Sequence, residues 1–234
     1  MATLHFEQLF DPESQSFTYL IGDLDAGVCA LCDPVREQLE RDLGRIDALG
    51  LELIHTLETH LHADHVTSGN ALAERRGSRP VLSRRSQVSC EALRVGHGER
   101  FAVGGLVITA LETPGHTPES LSFQLENRVL TGDALLIGTC GRTDFQGGDP
   151  GQLFDSVHAH LFTLPDETWI FPAHDYRGRT SSTIGVEKRE NARLAGRDRD
   201  AFIALMNGLG LPRPIRMDEA LPANLRCGKP EPQA

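Results

Sequence analysis

Short apolar runs broken by turn residues fill the first thirty-odd positions: "LHFEQLF" (4–10), "SFTYLIGD" (16–23) and "VCALCD" (28–33), separated by Asp-Pro, Gly and Asp. Such runs predict strands, and their close spacing predicts a small antiparallel meander. From Val35 the period changes. Val35, Leu39, Leu43, Ile46 and Leu49 recur at helical spacing, and Gly50 supplies a stop. "LELIHTLE" (51–58) then reads as another strand and "VTSGNALAERRG" (66–77) as a helix.

Further on, "FAVGGLVITALET" (101–113) predicts a hairpin whose Gly104-Gly105 pair can take positive φ, and "LSFQLE" (121–126) with "RVLTGD" (128–133) predicts a second around Asn127. A helix from Pro150, "PGQLFDSVHAHLF" (150–162), leads to the strand "TWIFPAHD" (168–175). Helices are expected around "VEKRENARLAG" (186–196) and "DAFIALMNGLG" (200–210), followed by an irregular proline-rich tail. Strands and a helix, then strands and helices again, predict an α/β fold of two similar halves packed sheet against sheet with helices outside. At 234 residues, one domain over 1–234 is the expectation.

Composition narrows the partners. Hydrophobic content of 39% and charged content of 24% are those of an ordinary globular protein. A net charge of −10 argues against a phosphate-tracking surface, so small molecules rather than nucleic acid are the expected partners. The opening "MATLHFEQLFDPE" lacks a basic, apolar leader, and no run approaches the roughly 20 apolar residues of a membrane helix. A cytoplasmic protein without membrane contact is expected. Five cysteines, Cys29, Cys32, Cys90, Cys140 and Cys227, form an odd, scattered set that predicts reduced thiols, with Cys227 a packed one. "CALC" (29–32) has redox-motif spacing but lies in a strand pattern ending at Asp33-Pro34, without the helix N-terminus such a motif needs.

The chemistry concentrates in "THLHADH" (59–65), which holds three of the ten histidines and an aspartate in a loop after a buried strand. Side chains two apart in an extended loop project to one side, so His60 and His62 can share a metal while Asp64 and His65 fall toward a neighbouring position. "TPGHTPES" offers His116, "LTGDALL" offers Asp133 and "FPAHDY" offers His174, each after a predicted strand and hence on one rim of the sheets. His158 and His160, two apart on a helix, point to different faces. His5, His55 and His97 stand alone and are taken as structural. Seven ligand candidates can hold two zinc ions, with His60, His62 and His116 on one, Asp64, His65 and His174 on the other, and Asp133 bridging. The same residues contain a mononuclear alternative, two histidines and a carboxylate in His60, His116 and Asp133, the facial triad of non-haem Fe(II) oxygenases. Ligand identity leaves both open.

"THLHADH", "PGHT", "LTGD" and "PAHD", in that order, resemble the metallo-β-lactamase superfamily, which implies an αββα sandwich of two mixed sheets with outer helices and a metal site at one edge. The flanks "TGDALLIGTCGRTDFQGGDPGQLFDSV" and "FPAHDYRGRTSSTIGVEKREN", with the tail "LPANLRCG", resemble its persulfide dioxygenase family. Glyoxalase II, the two-zinc glutathione-thioesterase of the same superfamily, instead carries a longer helical C-terminal region. The resemblance implies one Fe(II) per chain on His60, His116 and Asp133, with glutathione persulfide and O2 as substrates and a homodimer as the common assembly. His62, Asp64, His65, His174 and Asp175 would then orient the ligands and shape the open face. It also places Arg142 and Tyr176 in the substrate pocket, with Thr117 and Arg193 as further candidates; for Arg142 an ion pair with Asp144 or Asp175 is the alternative. After "RTDF" the chain reads "QGGDPGQL", where animal members differ, and this leaves substrate preference less constrained than the metal.

Overall fold

In the computed structural model, which describes residues 2–229, the first apolar runs pair as a meander. β1 (Leu4–Asp11) is antiparallel to β2 (Ser16–Asp23), Leu4 opposite Asp23 and Asp11 opposite Ser16, and β2 is antiparallel to β3 (Val28–Cys32). A 3-10 turn at Arg36–Gln38 precedes α1 (Leu39–Leu49), which ends at Gly50 in the left-handed conformation (φ 65°) and returns the chain to β4 (Glu52–Leu57), parallel to β3. α2 (Gly69–Arg76), β5 (Arg79–Ser83) and the short β6 (Leu93–Val95) complete a six-stranded sheet in chain order.

The second half repeats the plan. β7 (Arg100–Val103) and β8 (Leu106–Glu112) form the glycine hairpin, with Gly104 at φ 61°, and β9 (Leu121–Leu125) pairs antiparallel with β10 (Arg128–Gly132). α3 (Pro150–Ser156) is capped by Asp149, whose carboxylate accepts the Gln152 N–H at 2.9 Å, and it continues as a π turn at Val157–Leu161. β11 (Trp169–Pro172) runs parallel to β10, β12 (Ser182–Thr183) closes the edge, and the sheet order is β12-β11-β10-β9-β8-β7. α4 (Ile184–Glu190), α5 (Arg199–Asn207) and α6 (Met217–Asn224) follow.

Side-chain alternation explains the apolar runs. Tyr19, Ile21, Ala30, Cys32 and Leu57 face the second sheet, where Val103, Ile108, Leu121 and Phe123 meet them, while Leu20, Cys29, Leu31 and Leu53 face α1 and α2. A strand buried on both faces has no polar side to display. On the far side, Val129 and Ile170 pack against Leu153, Val157, Leu161 and Phe202 of the outer helices.

Four expectations need correction. The helix expected over 186–196 starts at Ile184 and stops at Glu190, because Asn191 leaves helical geometry and its Oδ1 accepts the N–H groups of Arg193 and Leu194. The tail is not irregular throughout: α6 forms despite Pro222, since Ala220 and Ala223 bury a face against Val66. Cys90 and Cys227 are paired in a disulfide across 137 residues, leaving Cys29, Cys32 and Cys140 as the free, buried thiols. His97 does not stand alone, for the π turn brings the His160 ring to 4.1 Å from it, centroid to centroid.

Because β8, β10 and β11 run in the same direction, the segments after them emerge at one edge of the sheet, beside the loop after β4. Two glycines allow the close approach there. Gly115 sits at φ 134°, and a Cβ on it would lie 2.3 Å from the Leu153 backbone of α3; at Gly132, φ 52°, a Cβ would lie 2.7 Å from Thr59. Gly115→Ala is therefore expected to destabilise the metal-free protein by about 2–4 kcal/mol, measured by urea unfolding. A loss under about 0.5 kcal/mol would mean that α3 moves aside freely.

Candidate metal centre

His60, His116 and Asp133 each bring one potential ligand atom to a common point, all within 4.8 Å of one another. His60 and His116 meet edge to face at 4.8 Å, and His116 Nε2 stands 3.6 Å from Asp133 Oδ2. Outer contacts set both rings. His116 Nδ1 donates to the Arg142 carbonyl at 2.7 Å, and His60 Nδ1 donates to the Thr59 hydroxyl at 3.0 Å, whose own proton goes to Asp33 at 2.8 Å. Each ring is thereby left with its Nε2 lone pair toward the centre. Burial, followed by the nearby His62 and His116, holds His60 well below the usual histidine range, so it is neutral. Asp133 Oδ1 is buried without any hydrogen-bond partner, an orphaned acceptor that a cation would satisfy.

His62 faces elsewhere. Its Nε2 lies 3.1 Å from Asp33 Oδ1 and 3.6 Å from Glu58 Oε2, both ionic contacts. Burial would depress this imidazole, but Asp33, Asp64 and Glu58 outweigh it and raise His62 to about 10. Burial likewise pushes Glu58 up, partly opposed by His62. Asp33 was legible only as a turn residue, yet it accepts the Thr59 N–H and hydroxyl and binds His62, which makes it the hub beneath the loop.

Asp64, His65 and His174 line the other side. Burial opposes ionisation of Asp64, but His65 and His174 outweigh it and hold Asp64 well below the usual carboxylate range. His65 Nδ1 is 2.9 Å from Asp64 Oδ2, and burial keeps His65 low. His174 donates from Nδ1 to the Gln15 carbonyl at 3.0 Å and points Nε2 at Asp64 (3.6 Å) and Asp133 (3.8 Å), which raise it against burial. His62, Asp64 and His65 also bring ligand atoms within 4.8 Å of one another.

The triad opens into a cleft of about 550 Å³ walled by Tyr176, Arg142 and the strap 212–216. Tyr176 is 67% exposed and stacks parallel on His174. Arg142 pairs with Asp144 through two 2.7 Å bonds, holds the Pro212 and Leu211 carbonyls at 2.6 and 3.1 Å, and lies over Phe145. Its carboxylate partner is thus Asp144 and not Asp175. Asp175 instead accepts from Arg179 and the Arg177 N–H. Thr117 turns its hydroxyl to Ser120, and Arg193 binds the Cys140 carbonyl; neither lines the cleft. Arg213 and Arg216 of the strap do line it, and nothing in their local sequence signals it.

Fold and site together define the class. The chain belongs to the metallo-β-lactamase superfamily, whose sequence profile matches residues 11–174. It is 42% identical to the human mitochondrial persulfide dioxygenase ETHE1 over all of this chain and 92% of that protein. The crystal structure of ETHE1 from Myxococcus xanthus superposes with a TM-score of 0.95 at 51% identity, covering 96% of this chain and all of the other. A hydroxyacylglutathione hydrolase from Bradyrhizobium sp. (strain ORS 278) matches less, 36% over 72% of this chain and 66% of its own length. Within the superfamily the chain is a member of the persulfide dioxygenase family. No helix among the described residues is long and apolar enough to cross a membrane.

Proposed function

We propose that this protein is an iron-dependent persulfide dioxygenase that converts glutathione persulfide, O2 and water to glutathione, sulfite and two protons, with one Fe(II) held by His60, His116 and Asp133. The observation that carries this reading is the orientation of His62 onto Asp33 and Glu58, at 3.1 and 3.6 Å. An imidazole so tied turns its Nε2 away from the triad, where two histidines and one carboxylate converge, the set of non-haem Fe(II) oxygenases. When bound, iron supplies the redox centre at which O2 can react with a soft sulfur anion, which zinc, with its filled d shell, lacks.

The chain's own residues do the rest. Thr59 and the Arg142 carbonyl fix the planes and tautomers of His60 and His116. His174 turns Nε2 to Asp133 and Asp64, whose carboxylates raise it against burial. Arg142 has five N–H donors, of which four are engaged, so one is left for a carboxylate of glutathione. Tyr176 offers an exposed ring and hydroxyl at the cleft mouth. Thr117 and Arg193 support the walls from behind. A single-domain, cytoplasmic homodimer belongs to the same proposal, and light scattering tests the dimer.

A two-zinc thioester hydrolase is the second reading, favoured by the proximity of His62, Asp64 and His65. Oxygen uptake and sulfite release with glutathione persulfide, compared between iron-loaded and zinc-loaded protein, separate the two. Iron-loaded protein is expected to consume O2 and form sulfite in equal amounts. Hydrolysis of S-lactoylglutathione by zinc-loaded protein, with no oxygen uptake by either form, would overturn the dioxygenase reading.

A further inference from the structure

The tail "LPANLRCG" (221–228) carries the family resemblance, yet no residue of it belongs to the triad. Asn224, in the last turn of α6, is only 4% exposed. Its Nδ2 donates to the His62 carbonyl at 2.9 Å and to the His65 carbonyl at 2.8 Å, and its Oδ1 accepts the Thr67 N–H at 2.9 Å. His62, His65 and Thr67 are buried in a stretch between β4 and α2 that belongs to neither sheet. These three backbone groups therefore have no ladder to satisfy them, and one amide does so.

The amide is itself held in place. Cys227 and Gly228 turn back onto the carbonyls of Asn224 and Ala223 at 2.9 and 2.8 Å, Asn70 donates to the Cys227 carbonyl at 3.0 Å, and Ser89 donates to that of Leu225 at 2.9 Å. Gly228 lies flat on the loop at φ 80°, where a Cβ would come within 2.1 Å of the Thr67 carbonyl. The Cys90–Cys227 disulfide fastens the same turn.

We propose that Asn224 is a positioning residue for the metal centre: through the His62 and His65 carbonyls and the Thr67 N–H it sets the shape of the loop that presents His60. It touches no ligand nitrogen and acts only through the backbone. The proposal rests on the metal reading above. Asn224→Asp is the sharpest test, because it keeps the size and the acceptor for Thr67 but turns an oxygen toward the carbonyls that had donors.

Co(II) serves as a spectroscopic probe in the full chain, with affinity measured by chelator competition and melting midpoints measured with and without metal. Asn224→Asp is expected to weaken Co(II) binding about 10–100-fold and alter its visible absorption, and to lower the midpoint of the metal-loaded protein more than that of the metal-free one. Asn224→Ser, which keeps one donor, is expected to fall between Asn224→Asp and wild type and covers the case in which the aspartate does not fold. Leu225→Ala, on the same turn but away from the loop, is expected to retain affinity. If Asn224→Asp, or Asn224→Ser in its place, keeps wild-type affinity and spectrum, the proposal is overturned; so it is if Leu225→Ala loses as much affinity as they do. A His60→Ala variant that binds Co(II) with wild-type affinity and spectrum would overturn the metal reading itself.

Discussion

An Asp133→Ala protein is expected to bind iron at least about 100-fold more weakly than wild type, whereas His65→Ala is expected to stay within about tenfold. Asp133 is set at the end of β10 by the tight backbone at Gly132, one of its oxygens is buried with no hydrogen-bond partner, and the second faces His116 at 3.6 Å. Removing it takes away the only carboxylate of the triad and leaves its two imidazoles. His65 lies on the far side of Asp64, paired to it at 2.9 Å, so its loss loosens a neighbour rather than a ligand. Iron content of purified protein and chelator competition check both. Equal losses in the two variants would favour the two-metal arrangement.

The metal-free protein is expected to lose stability as pH rises from about 6.5 to about 10, by a few kcal/mol from His62 alone. In the folded state Asp33, Asp64 and Glu58 raise His62 to about 10, while in the unfolded chain it returns to an ordinary histidine value. The fold therefore binds this proton more tightly. Its contribution is complete below the unfolded value and disappears as pH rises through the folded one. Glu58 has the same sign: burial raises its folded pKa, so the folded state keeps a proton that the unfolded state releases above the ordinary glutamate range. Urea midpoints of the metal-free protein at pH 6, 8 and 10 measure the slope. His62→Gln should flatten its upper part; an unchanged slope would show that the buried cluster is not its source.

Much of this site was legible before any folding was considered. His60, His116, Asp133 and His174 each follow an apolar run that ends in a turn, and strand ends in such a fold converge on one edge. The order of the elements was equally legible for strands buried on both faces. β5 and β6 carried too little apolar pattern to be anticipated, and α6 was hidden by Pro222 and by the small residues it packs with.

What the sequence by itself determined is the chemistry available: an apolar rhythm that compels two sheets, and a set of histidines and carboxylates that compels a metal site. The tertiary structure decided which of those groups face one another. Asp33 lies 26 residues before Thr59, the strap carbonyl of Pro212 lies 70 beyond Arg142, and Asn224 reaches back 162 residues to His62. Local propensity acts over a few residues, whereas a buried polar group takes its partner from whatever the packing brings near. The division of "THLHADH" into His60 at the triad and His62 on Asp33 is decided by that packing.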